Sequence, residues 1–142
     1  MAGYLLDTNI VSYLVDARAD AHRAVHDRLA GLTVDDTVSI SILTCHELHR
    51  WLAFDNGRQA LVEAVLADFT IEPLTTEGAA VFGRLMRRLR DSTGRESLRR
   101  AGVDCMVAAS ALVAGRIVVS NDALLADLAG IEPGLPLENW AR

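Results

Sequence analysis

Apolar residues follow two rhythms along this chain. Short apolar or alternating runs at residues 3–6, 37–42, 71–74 and 117–119 read as strands, three of them rich in Val, Ile or Leu. Pro73 lies within the third run, which places that strand at an edge. Helical spacing fills the intervals. Asp7-Thr8-Asn9 supplies capping residues for a first helix. Ala21, Val25, Leu29 and Leu32 share a stripe within residues 19–32. Thr44 and Glu47 have capping-box spacing and open a helix over residues 45–54. Further helices are expected over residues 57–69 and 76–90, the latter with Val81, Phe82, Leu85 and Leu89 on one side and Gly94 closing its end. Residues 102–115 form a helix rich in small side chains, and a short helix follows Ser120-Asn121-Asp122. The remaining tail, through Leu137 and Trp140, carries no clear element.

Strands alternating with helices predict an α/β fold: a three-layer α/β/α sandwich with a short central parallel sheet, as one domain over residues 1–142. Ligand sites in such sheets lie beyond the carboxyl ends of the strands. Asp7 directly follows the first strand, Glu47 lies early in the helix after the second, and Asp122 follows the fourth. Asp104 joins them if its helix begins at the same rim. Two carboxylates about 5 Å apart repel by roughly 3 kcal/mol at an effective dielectric of about 20. A divalent cation relieves that repulsion, and hard oxygen donors suit Mg2+ or Mn2+. Each acid also has a plainer reading. Asp7 and Asp104 look like helix caps, and Glu47 closes its capping box. The expected gathering of four on one rim favours the metal reading.

Composition narrows the classes. Hydrophobic residues make up 51% of 142, enough for a core without disulfides. Cys45 and Cys105 read as reduced thiols. The start of the chain has no basic segment of a signal peptide, and no apolar run approaches the roughly 20 residues of a membrane span. A cytoplasmic protein is expected. The net charge is −5, yet all 14 basic residues are Arg, with no Lys. Seven (Arg84, Arg87, Arg88, Arg90, Arg95, Arg99 and Arg100) crowd one segment of net charge +5, which leaves −10 for the rest. Such a segment reads either as a solvated helix face or as a phosphate-gripping surface, Arg being well shaped for phosphate.

Other patterns carry less. His46 and His49 are three apart, whereas a zinc-protease helix needs histidines four apart. His22 and His26 have that spacing, but without further ligands they read as solvated side chains. There is no nucleophile elbow and no glycine-rich phosphate loop.

Four ordered stretches then resemble the motifs of PIN domains: Leu5-Leu6-Asp7-Thr8-Asn9; Ile40-Ser41 with Thr44 and Glu47-Leu48; Asp104 leading Val107-Ala108-Ala109-Ser110-Ala111; and Val118-Val119-Ser120-Asn121-Asp122. Together they span nearly the whole chain. Its length and the closing Leu137-Glu138-Asn139-Trp140 are similar to VapC-type toxins of bacterial toxin–antitoxin pairs. The resemblance implies a Mg2+- or Mn2+-dependent endoribonuclease that leaves 5′-phosphate and 3′-hydroxyl ends and is held inactive by a VapB-like antitoxin. It implies Asp7, Glu47, Asp104 and Asp122 as the catalytic acids, with Asp7, Asp104 and Asp122 on the metal. Thr8, Asn9 and Ser120 match supporting positions, and Asp127 is a rival for the fourth acid. Cys45-His46 stands where small or apolar residues are usual. RNA contact falls to Arg84, Arg87, Arg88, Arg95, Arg99 and Arg100. A homodimer is expected, with a partner surface around Ile10, Val11, Tyr13 and Leu14.

Two other functions bring acids to such a rim. A response-regulator phosphoacceptor domain does so beside a Lys, which this chain lacks. A metal- and antitoxin-binding PIN-like protein without catalysis keeps the same residues and differs only in a nuclease assay.

Overall fold

Leu5 and Leu6 are adjacent and fully buried, yet they enter different cores. Val118 and Val119 divide in the same way. Side chains alternate across a strand, so both sheet faces must be covered, and each buried leucine contributes about 1.5–3 kcal/mol. The computed structural model describes residues 2–94 and 98–142. Its strands are β1 (Gly3–Leu6), β2 (Thr37–Ser41), β3 (Thr70–Glu72), β4 (Ile117–Val119) and β5 (Leu137–Glu138). They form one parallel sheet in the order β3-β2-β1-β4-β5.

One face carries α1 (Thr8–Val15), α2 (His22–Ala30), α3 (Ile42–Leu52) and α4 (Gln59–Ala67), packed with Leu6, Ile40, Val119 and Trp140. The other carries α5 (Thr76–Thr93), α6 (Leu98–Ala114) and α7 (Ala123–Ile131), packed with Leu5 and Val118. This is the expected three-layer α/β/α arrangement. The strand order reverses between β1 and β4, and that switch point is where open α/β sheets place their ligands. The order also differs from the 2-1-3-4-5 order of response-regulator domains.

Several elements depart from the sequence reading. β5 lies in the tail, for which the sequence predicts no element; two residues are too few to show a period, and the strand exists because Val118 N–H and Ser120 N–H donate to the Pro136 and Glu138 carbonyls at 3.0 Å. The capping box at Thr44 and Glu47 does not form. Ser41 ends β2 in an extended conformation and accepts from Leu43 N–H at 3.1 Å, so α3 begins at Ile42 with no loop. α6 begins by Leu98 rather than at 102, and Asp104 is therefore no cap. Ile10 and Val11 do not form a partner surface, because both are fully buried against the sheet. Among the described residues no helix is long and apolar enough to cross a membrane.

Candidate functional site

Asp7 leaves β1 at the switch point. It caps α1 by accepting from Thr8 N–H at 2.9 Å through Oδ1. Its N–H donates to the Val119 carbonyl, which ties the end of β1 to the end of β4. Oδ2 accepts from Ser120 Oγ at 2.8 Å and from Asn9 Nδ2 at 3.5 Å. Only 5% of Asp7 is exposed. Burial pushes its carboxyl above the usual range; the Ser120 and Thr8 hydrogen bonds work against that, and the Glu47 and Asp122 charges add to it.

Asp122 reaches the same place from β4. It caps α7 through Oδ1, which accepts from Leu124 N–H at 2.7 Å, and its own N–H donates to Ser120 Oγ at 3.0 Å. Asp104 arrives from α6, in the same layer as α7. It lies ten residues before Ala114, about 15 Å along a helix, whereas three-residue β4 spans only about 10 Å. The first half of α6 therefore rises past the strand ends and carries Asp104 to the rim. Burial, then the charges of Asp122, Asp7 and Glu47, push the Asp104 carboxyl up to about 7.

A ligand oxygen from each of Asp7, Asp104 and Asp122 lies within 4.8 Å of the others. Glu47 is exposed on α3, and its Oε1 accepts from Thr8 Oγ1 at 2.7 Å. The Thr8 hydroxyl also lies 3.2 Å from that of buried Thr44. Among the described residues no Arg forms an ion pair with any of the four acids. The donor set fits a divalent cation: hard oxygens, converging, mutually repelling, and, among the described residues, without a protein countercharge. Capping and convergence coexist here, because a carboxylate offers about four lone-pair sites and a cap uses one.

Thr8, Asn9 and Ser120 all fall within this network. Asn9 spans it: Nδ2 donates to Ser120 Oγ at 3.2 Å, and Oδ1 accepts from Asn121 N–H at 3.1 Å. The network extends further, through contacts that sequence spacing does not predict. Asn121 Nδ2 donates to Tyr13 Oη at 3.1 Å, and Asn139 Nδ2 donates to Asn121 Oδ1 at 2.8 Å. Asn139 comes from the tail whose strand was not foreseen, so sequence distance concealed the link. Asp127 is exposed on α7, outside the converging trio.

The arginine segment divides. Arg84 Nη2 donates to Glu132 Oε1 at 3.4 Å, and Arg88 binds Glu132 Oε2. Glu132 is the C-cap residue of α7, at the opposite end of that helix from Asp122. These two cations therefore clasp α5 to α7 away from the acid cluster. Arg87, Arg99 and Arg100 are exposed, and Arg100 sits one turn before Asp104 on the same face of α6. Arg95 lies outside the described residues.

A PIN domain model matches residues 4–131. The fold is similar to the VapBC2 complex of Rickettsia felis bound to a DNA fragment from its promoter (TM-score 0.81, 22% identity, 97% of this chain and 98% of that one). It is also similar to VapBC-1 of nontypeable Haemophilus influenzae (TM-score 0.80, 17% identity, 99% of both chains). A third similar structure is the DNA-bound VapBC of Salmonella typhimurium (TM-score 0.75, 22% identity, 99% of both chains). No curated protein matches by sequence.

Proposed function

The chain belongs to the PIN-domain family, and from that membership we propose that it is a metal-dependent endoribonuclease, the toxin of a VapC-type toxin–antitoxin pair. The observation that carries this reading is the convergence of Asp7, Asp104 and Asp122 at the switch point with, among the described residues, no cationic side chain bound to them. Mg2+ or Mn2+ held there would supply the Lewis acidity for attack of water on a phosphodiester. Asp7 and Asp104 are the principal ligands in this proposal, with Asp122 completing the set. Ser120 and Asn9 fix the orientation of Asp7 through Oδ2. Thr8 holds Glu47 by Oε1, which leaves Oε2 to orient the attacking water and accept its proton. The products carry 5′-phosphate and 3′-hydroxyl ends.

Arg87, Arg99 and Arg100 are proposed phosphate contacts, Arg100 foremost because it shares a face with Asp104. Arg84 and Arg88 are weaker candidates, since Glu132 already takes both guanidinium groups. A VapB-like antitoxin and a homodimeric state are proposed from the VapBC complexes that share the fold. A cytoplasmic location is proposed with them. Phe54, 86% exposed in the turn after α3, offers apolar surface that Ile10 and Val11 do not.

The test is cleavage of total tRNA and ribosomal RNA by the purified chain in Mg2+, beside an EDTA control and Asp104→Asn. Cleavage by the wild type alone supports the proposal. A folded wild type that cuts no RNA, with or without Mn2+, overturns it in favour of binding without catalysis. Light scattering and co-purification from the native host test the dimer and the antitoxin.

A further inference from the structure

A cleft of about 370 Å³ opens directly beside the acid cluster, between α1 and α3. Thr8 and Glu47 form its inner end, so it continues from the reacting position. Tyr13, Asp16 and Trp51 line it further out. Trp51 is 36% exposed on α3, whose Leu48 and Leu52 are buried, whereas Trp140 is 1% exposed. Arg58 does not line the cleft but braces it. Its guanidinium lies 5.9 Å from the centre of the Trp51 ring, bonds the Val15 carbonyl and pairs with Asp16 Oδ1 at 3.3 Å. Arg18 binds the same oxygen through its backbone N–H and Nε. Among the described residues, Asp16 Oδ2 accepts no hydrogen bond.

We propose that this cleft is a nucleobase subsite: one base of the RNA, next to the scissile phosphate, stacks on Trp51 and donates a hydrogen bond from its amino group to Asp16 Oδ2. Stacking on an aromatic ring is the usual hold on an unpaired RNA base. A carboxylate accepts from an exocyclic amine, which favours adenine, cytosine or guanine over uracil. Arg58 balances the Asp16 charge, so the wall does not repel the strand. The cleft thus makes Trp51 and Asp16 specificity residues for the proposed nuclease, and the inference rests on that reading.

Two measurements test it. Labelled oligo(A), oligo(C) and oligo(U) are titrated in EDTA, where no cutting occurs, against wild type, Trp51→Ala, Trp51→Phe and Asp16→Asn. Cleavage sites on tRNA are then mapped in Mg2+. Trp51→Ala is expected to weaken binding by about 5- to 150-fold, with Trp51→Phe recovering most of it. Asp16→Asn is expected to narrow the gap between oligo(U) and the others, and the cleavage map should lose its preference at one position. Because Trp140 is buried, RNA should quench wild-type tryptophan fluorescence through Trp51 alone. If the wild type cuts RNA but Trp51→Ala binds and cuts with the same preference, the subsite is wrong and the nuclease reading stands. If the wild type neither binds nor cuts RNA, both fall. If Trp51→Ala loses the co-purifying partner and keeps RNA affinity, the cleft is a protein-docking groove and the subsite is overturned.

Discussion

Thr8 Oγ1 donates to Glu47 Oε1 at 2.7 Å, joining the first turn of α1 to the middle of α3 across 39 residues of sequence. Glu47 is exposed, and an exposed glutamate otherwise samples many rotamers. The hydroxyl selects one of them, directed at the rim where Asp7 and Asp104 stand. Thr8→Val keeps the β-branched shape and deletes the donor. Cleavage is expected to fall about 10- to 100-fold, as for other groups that orient ligands, with no change in the circular dichroism spectrum. Wild-type turnover in a folded Thr8→Val protein would remove the positioning role.

Without metal, the acid cluster should make the protein less stable as pH rises. Asp104 holds its proton up to about 7 when folded, whereas an unfolded carboxyl loses it near 4. Between those values the native state binds more protons than the unfolded state, so stability present at low pH is lost on the way to pH 7. Asp7 shifts in the same direction. In EDTA, Tm should fall by on the order of 5 °C from pH 5 to pH 8, after allowance for solvent screening at a half-buried group. Asp104→Asn should flatten most of that slope, and Mn2+ should restore wild-type Tm at pH 8. A flat wild-type profile would show that the cluster bears no strain.

Two functions separate within the arginine segment. Arg84→Ala and Arg88→Ala should lower stability by about 1–3 kcal/mol, because each takes a charged partner from Glu132, a carboxylate only 7% exposed. Arg99→Ala and Arg100→Ala should leave Tm unchanged and reduce the salt dependence of RNA binding by about 0.7 per lost phosphate contact. Denaturant melts and affinity titrations across salt concentration read the two effects independently. An unchanged salt slope in Arg100→Ala would exclude it from the strand path.

Two glycines should respond oppositely to alanine. Gly115 follows α6 with φ of +67°, a left-handed turn that returns the chain into β4. Gly115→Ala should cost about 1 kcal/mol. Gly83 lies exposed inside α5, and a Cβ there meets nothing within 4 Å. Gly83→Ala should gain about 0.5–1 kcal/mol from helix propensity and a less flexible unfolded chain. Loss of stability in both variants would point to packing at Gly83 that these contacts do not contain.

Much of this protein could be read from local pattern. The strand runs around Leu5, Ile40 and Val118 each bury within a few residues of one another, so their periods appear in sequence. Asp7 and Asp122 were legible for the same reason: each follows its strand at once, and a parallel sheet brings strand ends to one rim. What remained hidden depends on partners far away in sequence. Asp104 is named by its motif, but its path to the rim is hidden: its helix starts by Leu98, and the passage of the longer α6 past short β4 sets it among the other acids. Ser41 rather than Thr44 caps α3, because the strand runs into the helix without a loop. Two-residue β5 exists only against β4, and with it Asn139 reaches Asn121 and the site. Glu132 draws Arg84 and Arg88 away from the rim, a choice made by how α5 packs on α7. Local pattern thus sets the alternation of elements and which acids border the sheet. Tertiary structure decided which oxygens converge and which charges are already neutralised, since those depend on distances that span layers and not on the period of any one element.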